Sequence, residues 1–368
     1  MSVRPPYFDS AVERENGSRR VLECSAPGGT AQGASGVTNG LPERRNKVRR
    51  SICLAGLVLS LLLGLVVLLL SAGQAAAQER REQGTIRLSG AWALYPMAVK
   101  WAAVYEKDHP GVKVEVSAGG AGKGAADALS GLVDVGMVSR DIQPAEMDRG
   151  GLGIPVVKDA VVAVVNEANP VLRELLAKGM KRDAFVRLWM KGDLKKWGEA
   201  SGTAVAEPIH VFTRSDSCGA AETWAQYLGG KQEDLKGVGI YGDPGIAEKV
   251  AGDKLGIGYN NLNFAYDPKT RKPIAGLVVV PIDVSDNGRI DGGERFYDTK
   301  DELLRAIADG RYPSPPARDL NFLTKGKPTG LVRDFVAWVL TEGQKYADEV
   351  GYVPLAEAHR REALKKLE

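Results

Sequence analysis

The sequence predicts an α/β protein of two lobes, each a largely parallel sheet covered by helices, joined by a hinge with a ligand cleft between them. Three observations carry this. Strand, loop and helix alternate along residues 84–140; the same alternation returns after residue 209; and an apolar strand closed by a polar, proline-ended turn, "DAVVAVVNEANP", stands between the two.

The elements follow in order. "GTIRLSG", Gly84 to Gly90, reads as a strand, and "YPMAVKWAAVYEKDHPG" as a helix with apolar residues at helical spacing that stops at Pro110-Gly111. "VKVEVSA" alternates as a second strand, "KGAADALSG" is a short helix, and "DVGMVSR" a third strand ending in Ser139 and Arg140. In such sheets ligands bind where strand carboxyl ends meet helix N-termini, so the loops Ser89–Leu94, Ala118–Gly124 and Ser139–Asp141 share one edge. After the apolar strand, "LLAKGMKRDAFVRLWMKGDLKKWGE" has helical character and leads into the second lobe, where "IHVFTRSDSCGAAETWAQYLGG" gives strand, loop and helix again. "KLGIGYNNLNFAY" and "AGLVVVPIDV" are later strands expected to carry the chain back, and "TKDELLRAIADG" and "GLVRDFVAWVLTEGQKYADEVG" supply covering helices. The expected division is a first lobe at 84–164, a second at 165–276 and a return to the first at 277–368.

Ahead of this lies a polar, basic extension (1–50), then the charge-free run "ICLAGLVLSLLLGLVVLLL" (52–70) and "SAGQAAAQ". Segment 51–77 reads as an export signal cut after Ala77, so that the mature chain begins near Gln78, or as an uncleaved transmembrane signal anchor. The expected location is periplasmic or otherwise extracytoplasmic. The 368 residues carry a net charge of +3; residues 1–77 hold nine Lys/Arg against five Asp/Glu, leaving the exported part at −1. A nucleic-acid partner needs a strong positive field, and none is present. Cys24 and Cys53 precede the cut, leaving Cys218 without a disulfide partner.

"SAGGAGKGAADALSG" (117–131) is the first loop with chemistry to offer. Glycine-rich turns opening a helix bare their backbone N–H groups to an anion, and the helix dipole adds to the attraction. A nucleotide P-loop needs Gly-Lys-Ser/Thr, whereas Lys123 is followed by Gly124.

Across "SGAWALYPMAVKWAAVYEKDHPGVKVEVSAGGAGKGAADALSGLVDVGMVSR", "RSDSCGAAETW" and "LGIGY", the chain resembles the phosphate-binding proteins of ABC importers, over about residues 84–355. The resemblance implies the type II periplasmic-binding-protein fold and a dehydrated phosphate or related oxyanion, held between the lobes by backbone N–H groups, hydroxyls, an arginine and often a carboxylate. It implies delivery to ABC permease subunits by a monomer with no organic cofactor and no catalysis. Mapped onto this chain, the ligand-binding candidates are Ser89, Ala93, Leu94, Gly122, Lys123, Ser139, Arg140, Arg214, Ser217, Cys218 and Gly219. Three loops depart from the family. Trp92-Ala93-Leu94, Gly120-Ala121-Gly122-Lys123-Gly124 and Ser217-Cys218-Gly219-Ala220 lack hydroxyls that relatives carry, while a lysine has been gained. Arg140, Arg214 and Lys123 supply charge in their place, with Arg214 and Lys123 expected as the chief charges. Two other readings remain: a sensory or scaffolding protein of the same fold without high-affinity binding, and a hydrolase using Cys218 at a helix N-terminus. The hydrolase lacks a partner base, since the three histidines (His109, His210, His359) are distant in sequence from Cys218 or, for His210, at the far end of a strand.

"DVSDNGRIDGGE" (283–294) carries the register of an EF-hand calcium loop: Asp283, Ser285, Asn287, Asp291 and Glu294 at positions one, three, five, nine and twelve, with Gly288 at six, the Arg289 carbonyl at seven and Ile290 at eight. A strand precedes it rather than a helix, so the expectation is an isolated, structural Ca²⁺ turn of weak affinity; the alternative is an Asp/Asn/Gly turn without metal.

Overall fold

The computed structural model describes residues 83–368. The basic extension, the apolar run at 52–70 and the cleavage position after Ala77 lie outside the described residues. Among the described residues no helix is long and apolar enough to cross a membrane.

Nine strands are present among the described residues: β1 (Gly84–Gly90), β2 (Val112–Ala118), β3 (Val135–Val138), β4 (Gly151–Asn166), β5 (His210–Arg214), β6 (Val238–Ile240), β7 (Gly256–Asn261), β8 (Leu277–Val279) and β9 (Ala317–Lys325). They join in the order β2-β1-β3-β9-β4-β7-β5-β6, with β8 paired to β4. The helices of nine residues or more among those described are α1 (Tyr95–Asp108), α2 (Ala121–Ser130), α3 (Gly219–Leu228), α4 (Gly242–Ala251), α5 (Lys300–Ala308), α6 (Gly330–Leu340) and α7 (Glu357–Lys365).

The expected parallel pairing holds within each lobe: β1 runs parallel to β2 and β3, and β5 parallel to β6 and β7. What joins the lobes is antiparallel. β4 is buried along almost its whole length, as its continuous apolar run requires. Its first ten residues pair with β9 and its last six with β7 and β8. Around it lie two apolar cores. One contains Trp101, Tyr105, Phe322 and Phe335; the other contains Phe185, Trp189, Trp224 and Tyr259.

Two expectations change in detail. The return to the first lobe comes at β9, because β7 and β8 both pair with the second-lobe half of β4, and Phe296, Tyr297, Leu303 and Tyr312 pack in the second core. Residues 277–316 therefore belong with the second lobe. The helical run after residue 171 is broken into the short helices Leu172–Lys178, Arg182–Val186 and Trp197–Ser201 plus a π-type turn, Arg187–Lys191. Gly179, Gly192 and Gly202 end segments of this run at φ 66°, 69° and 70°, a backbone that side chains with a Cβ resist.

Candidate functional site

The loops after β1, β2, β3 and β5 meet at the lobe junction. Gly90 and Gly124 approach so closely that a Cβ on Gly90 would stand 2.7 Å from the Gly124 Cα, and the Gly90 carbonyl accepts the amides of Gly119 and Gly120. The Gly122 amide donates to the Ser217 carbonyl across the junction at 3.2 Å. Gly219, opening α3, lies directly against the carbonyl and hydroxyl of Ser139. Trp92 stands edge-on to Tyr241 of the second lobe, ring centroids 6.4 Å apart. Ala93 and Leu94 are buried in a single 3₁₀ turn; the Ala93 carbonyl accepts the Tyr352 hydroxyl at 2.6 Å, and the Leu94 amide donates to Ala91.

Each cation singled out from the sequence has a carboxylate partner. The Lys123 ammonium, on a half-exposed side chain, reaches Asp127 one turn along α2 and donates to Ser89 Oγ at 2.9 Å, while Ser89 donates to Asp127 at 2.6 Å. Burial works against the Asp127 charge, and these two donors hold its carboxyl below the usual range. Arg140 forms a bidentate pair with Glu146, at 2.9 and 2.7 Å. Arg214 has a fully buried side chain between two aspartates: Nε and Nη2 donate to Asp216 at 2.8 and 2.6 Å, and Nη1 to Asp243 at 2.8 Å. Burial opposes its charge, but Asp243 and Asp216 outweigh that and bind its proton more tightly than in water.

Cys218 caps α3, its sulfur accepting the Ala221 amide at 3.4 Å. Burial pushes its thiol up to about 12. A thiol held protonated at neutral pH is a poor nucleophile. Its own amide donates to Gln232, and Ser217 is exposed at the loop tip.

Four polar residues at this junction escaped the sequence reading. Asp243 opens α4; Asn261 ends β7, donating through Nδ2 to Asp243 at 2.5 Å. Arg318, near the start of β9, donates through Nε to the Ser139 carbonyl at 3.1 Å and through Nη2 to Asn261 Oδ1. Its Nη1 lies 3.6 Å from Asp159 in the middle of β4. Asp159 is fully buried, and neither of its side-chain oxygens has a hydrogen-bond partner. Burial lifts its carboxyl to about 6 despite Arg318. The available signal was a lone carboxylate within the apolar run "VVKDAVVAVV".

The calcium-type loop sits elsewhere, at the end of the strand region containing β8. Buried Asp283 accepts the amides of Asn287 and Gly288 at 3.2 and 2.7 Å and the Ser285 hydroxyl at 3.3 Å. Glu294 accepts the amides of Ser285 and Asp291 at 2.8 and 3.1 Å, while Asp291 takes the Asn287 side chain and pairs with Arg289. Gly288 bends the loop at φ 82° and Ile290 is buried. Among the described residues no three His, Cys, Asp or Glu side chains converge as a metal site.

A family model described as a PBP superfamily domain matches residues 75–342. The phosphate-binding protein PstS of Bacillus subtilis (strain 168) is 25% identical over 289 residues, covering 78% of this chain and 86% of that protein. PstS of Xylella fastidiosa (strain Temecula1) is 27% identical over 308 residues, covering 74% and 82%. Among solved structures, an ABC-type phosphate transport receptor from Vibrio cholerae has a TM-score of 0.54 at 19% identity, covering 73% of this chain and 100% of that one. A high-affinity periplasmic phosphate-binding protein, PfluDING, bound with phosphate, has a TM-score of 0.59 at 16% identity, covering 76% and 92%. At these identities the two structures establish a shared fold.

Proposed function

The chain belongs to the PBP superfamily, and from that premise we propose that it is an extracytoplasmic solute-binding protein that captures phosphate or a related tetrahedral oxyanion between its lobes and hands it to an ABC permease. The observation that carries this is the meeting of the glycine-rich α2 loop, the Ser139 loop and the N-terminus of α3 at the lobe junction, with Gly120 set beside Asp216, the carboxylate that with Asp243 anchors the Arg214 guanidinium. The first turns of α2 and α3 carry the positive ends of two helix dipoles, which favour an anion stripped of water, while the Gly122 and Ala221 amides already donate to the Ser217 carbonyl and the Cys218 sulfur. PstS proteins, named as phosphate-binding, are the relatives that agree with this reading. Arg214 is the chief charge. Lys123, paired to Asp127, is secondary. The protein acts as a monomer, exported by the 51–77 segment and cut near Gln78; intact-mass measurement of protein from the native envelope checks the cut, and a species retaining 52–70 establishes the anchor instead.

Isothermal calorimetry of the parent against phosphate, sulfate, molybdate and phosphonates tests the reading. Replacing Arg214 by Gln removes the cation shared by two buried carboxylates and weakens anion binding by about 2–4 kcal/mol. Undiminished binding by a folded R214Q protein refutes the site. A sensory or scaffolding role is the second reading, favoured by the carboxylate partners that Lys123, Arg140 and Arg214 already have; a folded parent that binds none of these anions establishes it.

A further inference from the structure

Arg318, on β9 of the first lobe, ties the two lobes together through its side chain. Its side chain is only 8% exposed, and two arms of its guanidinium hold cleft elements that belong to different lobes. Nε fixes the carbonyl of Ser139, in the loop after β3. Nη2 fixes Asn261 Oδ1 at the end of β7, and the same amide donates through Nδ2 to Asp243, the buried partner of Arg214. A continuous polar chain therefore runs Ser139, Arg318, Asn261, Asp243, Arg214, Asp216, from one cleft loop to the other. The third arm, Nη1, has no hydrogen-bond partner, and Asp159 approaches it at 3.6 Å.

This is a costly arrangement for stability alone. Burial pulls the Arg318 proton affinity below the usual arginine range, with Asp159 offsetting only part of the penalty. Replacing a buried ion pair by apolar side chains is often neutral or stabilising, so such a pair is weak evidence of a stabilising role. The guanidinium's forked, rigid geometry is what lets one side chain hold two acceptors in set directions; an ammonium, a point charge on a flexible stem, does not fix those directions.

We infer that Arg318 is a positioning residue of the oxyanion cleft, aligning the Ser139 loop and, through Asn261 and Asp243, the Arg214 guanidinium when the lobes are together. The inference rests on the oxyanion reading above. It is tested with the full chain, kept in mild detergent on account of the 52–70 run, by calorimetry against inorganic phosphate for the parent, R318K, R318Q, N261A and the R318Q/N261A double variant. Unfolding midpoints without phosphate serve as the control for folding. R318Q and N261A are each expected to weaken phosphate binding about tenfold. The double variant should be within about threefold of the weaker single, because both lesions cut one chain of contacts. R318K should fall between parent and R318Q with an unfolding midpoint near the parent's, so R318K and N261A carry the test if R318Q does not fold. Additive losses, or parent-like phosphate affinity with only a lowered midpoint, overturn the inference and leave Arg318 a structural residue. Loss of binding in R214Q with full binding in R318Q overturns this inference alone. A folded parent that binds none of phosphate, sulfate and molybdate overturns the oxyanion reading and this inference together.

Discussion

Asp159 is a buried carboxylate whose chemistry is far from ordinary. Its carboxyl titrates near 6 in the folded protein, because burial disfavours the charge more than Arg318 favours it, against about 3.9 when unfolded. The native state therefore holds a proton that the unfolded chain has released between about pH 4 and pH 6, so Asp159 contributes stability below that window and loses it as pH rises through 6. The unfolding free energy of the parent minus that of Asp159→Asn should fall by on the order of 1–3 kcal/mol from pH 4 to pH 6.5. A difference that stays flat, measured by urea unfolding at each pH, refutes the shift. Lys123 is the contrasting case. Its ion pair with Asp127 joins a half-exposed side chain to a neighbour one turn away, and such pairs contribute roughly 0–1 kcal/mol. Lys123→Ala should accordingly lower stability by less than about 1 kcal/mol and change phosphate affinity far less than Arg214→Gln; a loss as large as that of R214Q returns Lys123 to the role of chief ligand. Legibility at this scale depended on distance in sequence. Arg214 and Asp216 are two residues apart and could be read as a pair, whereas Asp243, Asn261 and Arg318 are brought to the same place by three different elements.

At the level of elements, the short strands and helices of the strand-loop-helix repeats were legible: β1, β2, β3 and β5 and the helices α1, α2 and α3 fall where the sequence pattern puts them. β9 was missed. "ARDLNFLTK" has two charged residues straight after its opening alanine and follows a proline run, so its pattern reads as loop, and only pairing along ten residues of β4 makes it a strand. With β9 went the point of return between lobes. The 283–294 loop shows the limit from the other side, because there the register is plain and the occupant is not given by register alone. Asp283 already accepts the amides of Asn287 and Gly288, and Gly288 has the left-handed φ of a tight bend, so the backbone is folded before any ion arrives. The expected occupant is one Ca²⁺, which takes six to eight oxygens and would draw Asp291 and Glu294 off their present donors. With an affinity of roughly 10⁻⁴ to 10⁻³ M, calcium at ten times the dissociation constant adds about 1.4 kcal/mol. The unfolding midpoint should rise by a few degrees in millimolar Ca²⁺ over EGTA, and Glu294→Ala should abolish the rise. Equal midpoints for the parent in both buffers leave the loop a metal-free polar turn.

For the molecule as a whole, function depends on two lobes meeting without anything in the way, and glycine is what permits it. Gly219 is the decisive position: a methyl group there would overlap the Ser139 carbonyl of the other lobe. Its backbone φ is not in the left-handed region, and alanine is the better helix former. Gly219→Ala should therefore leave each lobe folded and oppose only their approach. Gly122 behaves alike in part, since a Cβ there would meet Ser217 Cβ at 2.8 Å, but an exposed serine can turn aside where a buried carbonyl cannot. If oxyanion capture requires closure, the free energy of overcoming the Ser139–Gly219 overlap is subtracted from binding, and a residual opening of the cleft admits water that weakens every charged contact with the ligand. The expected outcome for Gly219→Ala is an unfolding midpoint without phosphate within a few degrees of the parent's, and a phosphate affinity lower by at least tenfold, with Gly122→Ala between the two proteins. Small-angle scattering with and without phosphate supplies the conformational readout: the parent should contract on binding and G219A should contract less. A G219A protein that binds and contracts like the parent would show that the ligand is held without this contact, and that the junction between Ser139 and Gly219 is a consequence of packing rather than a condition of capture.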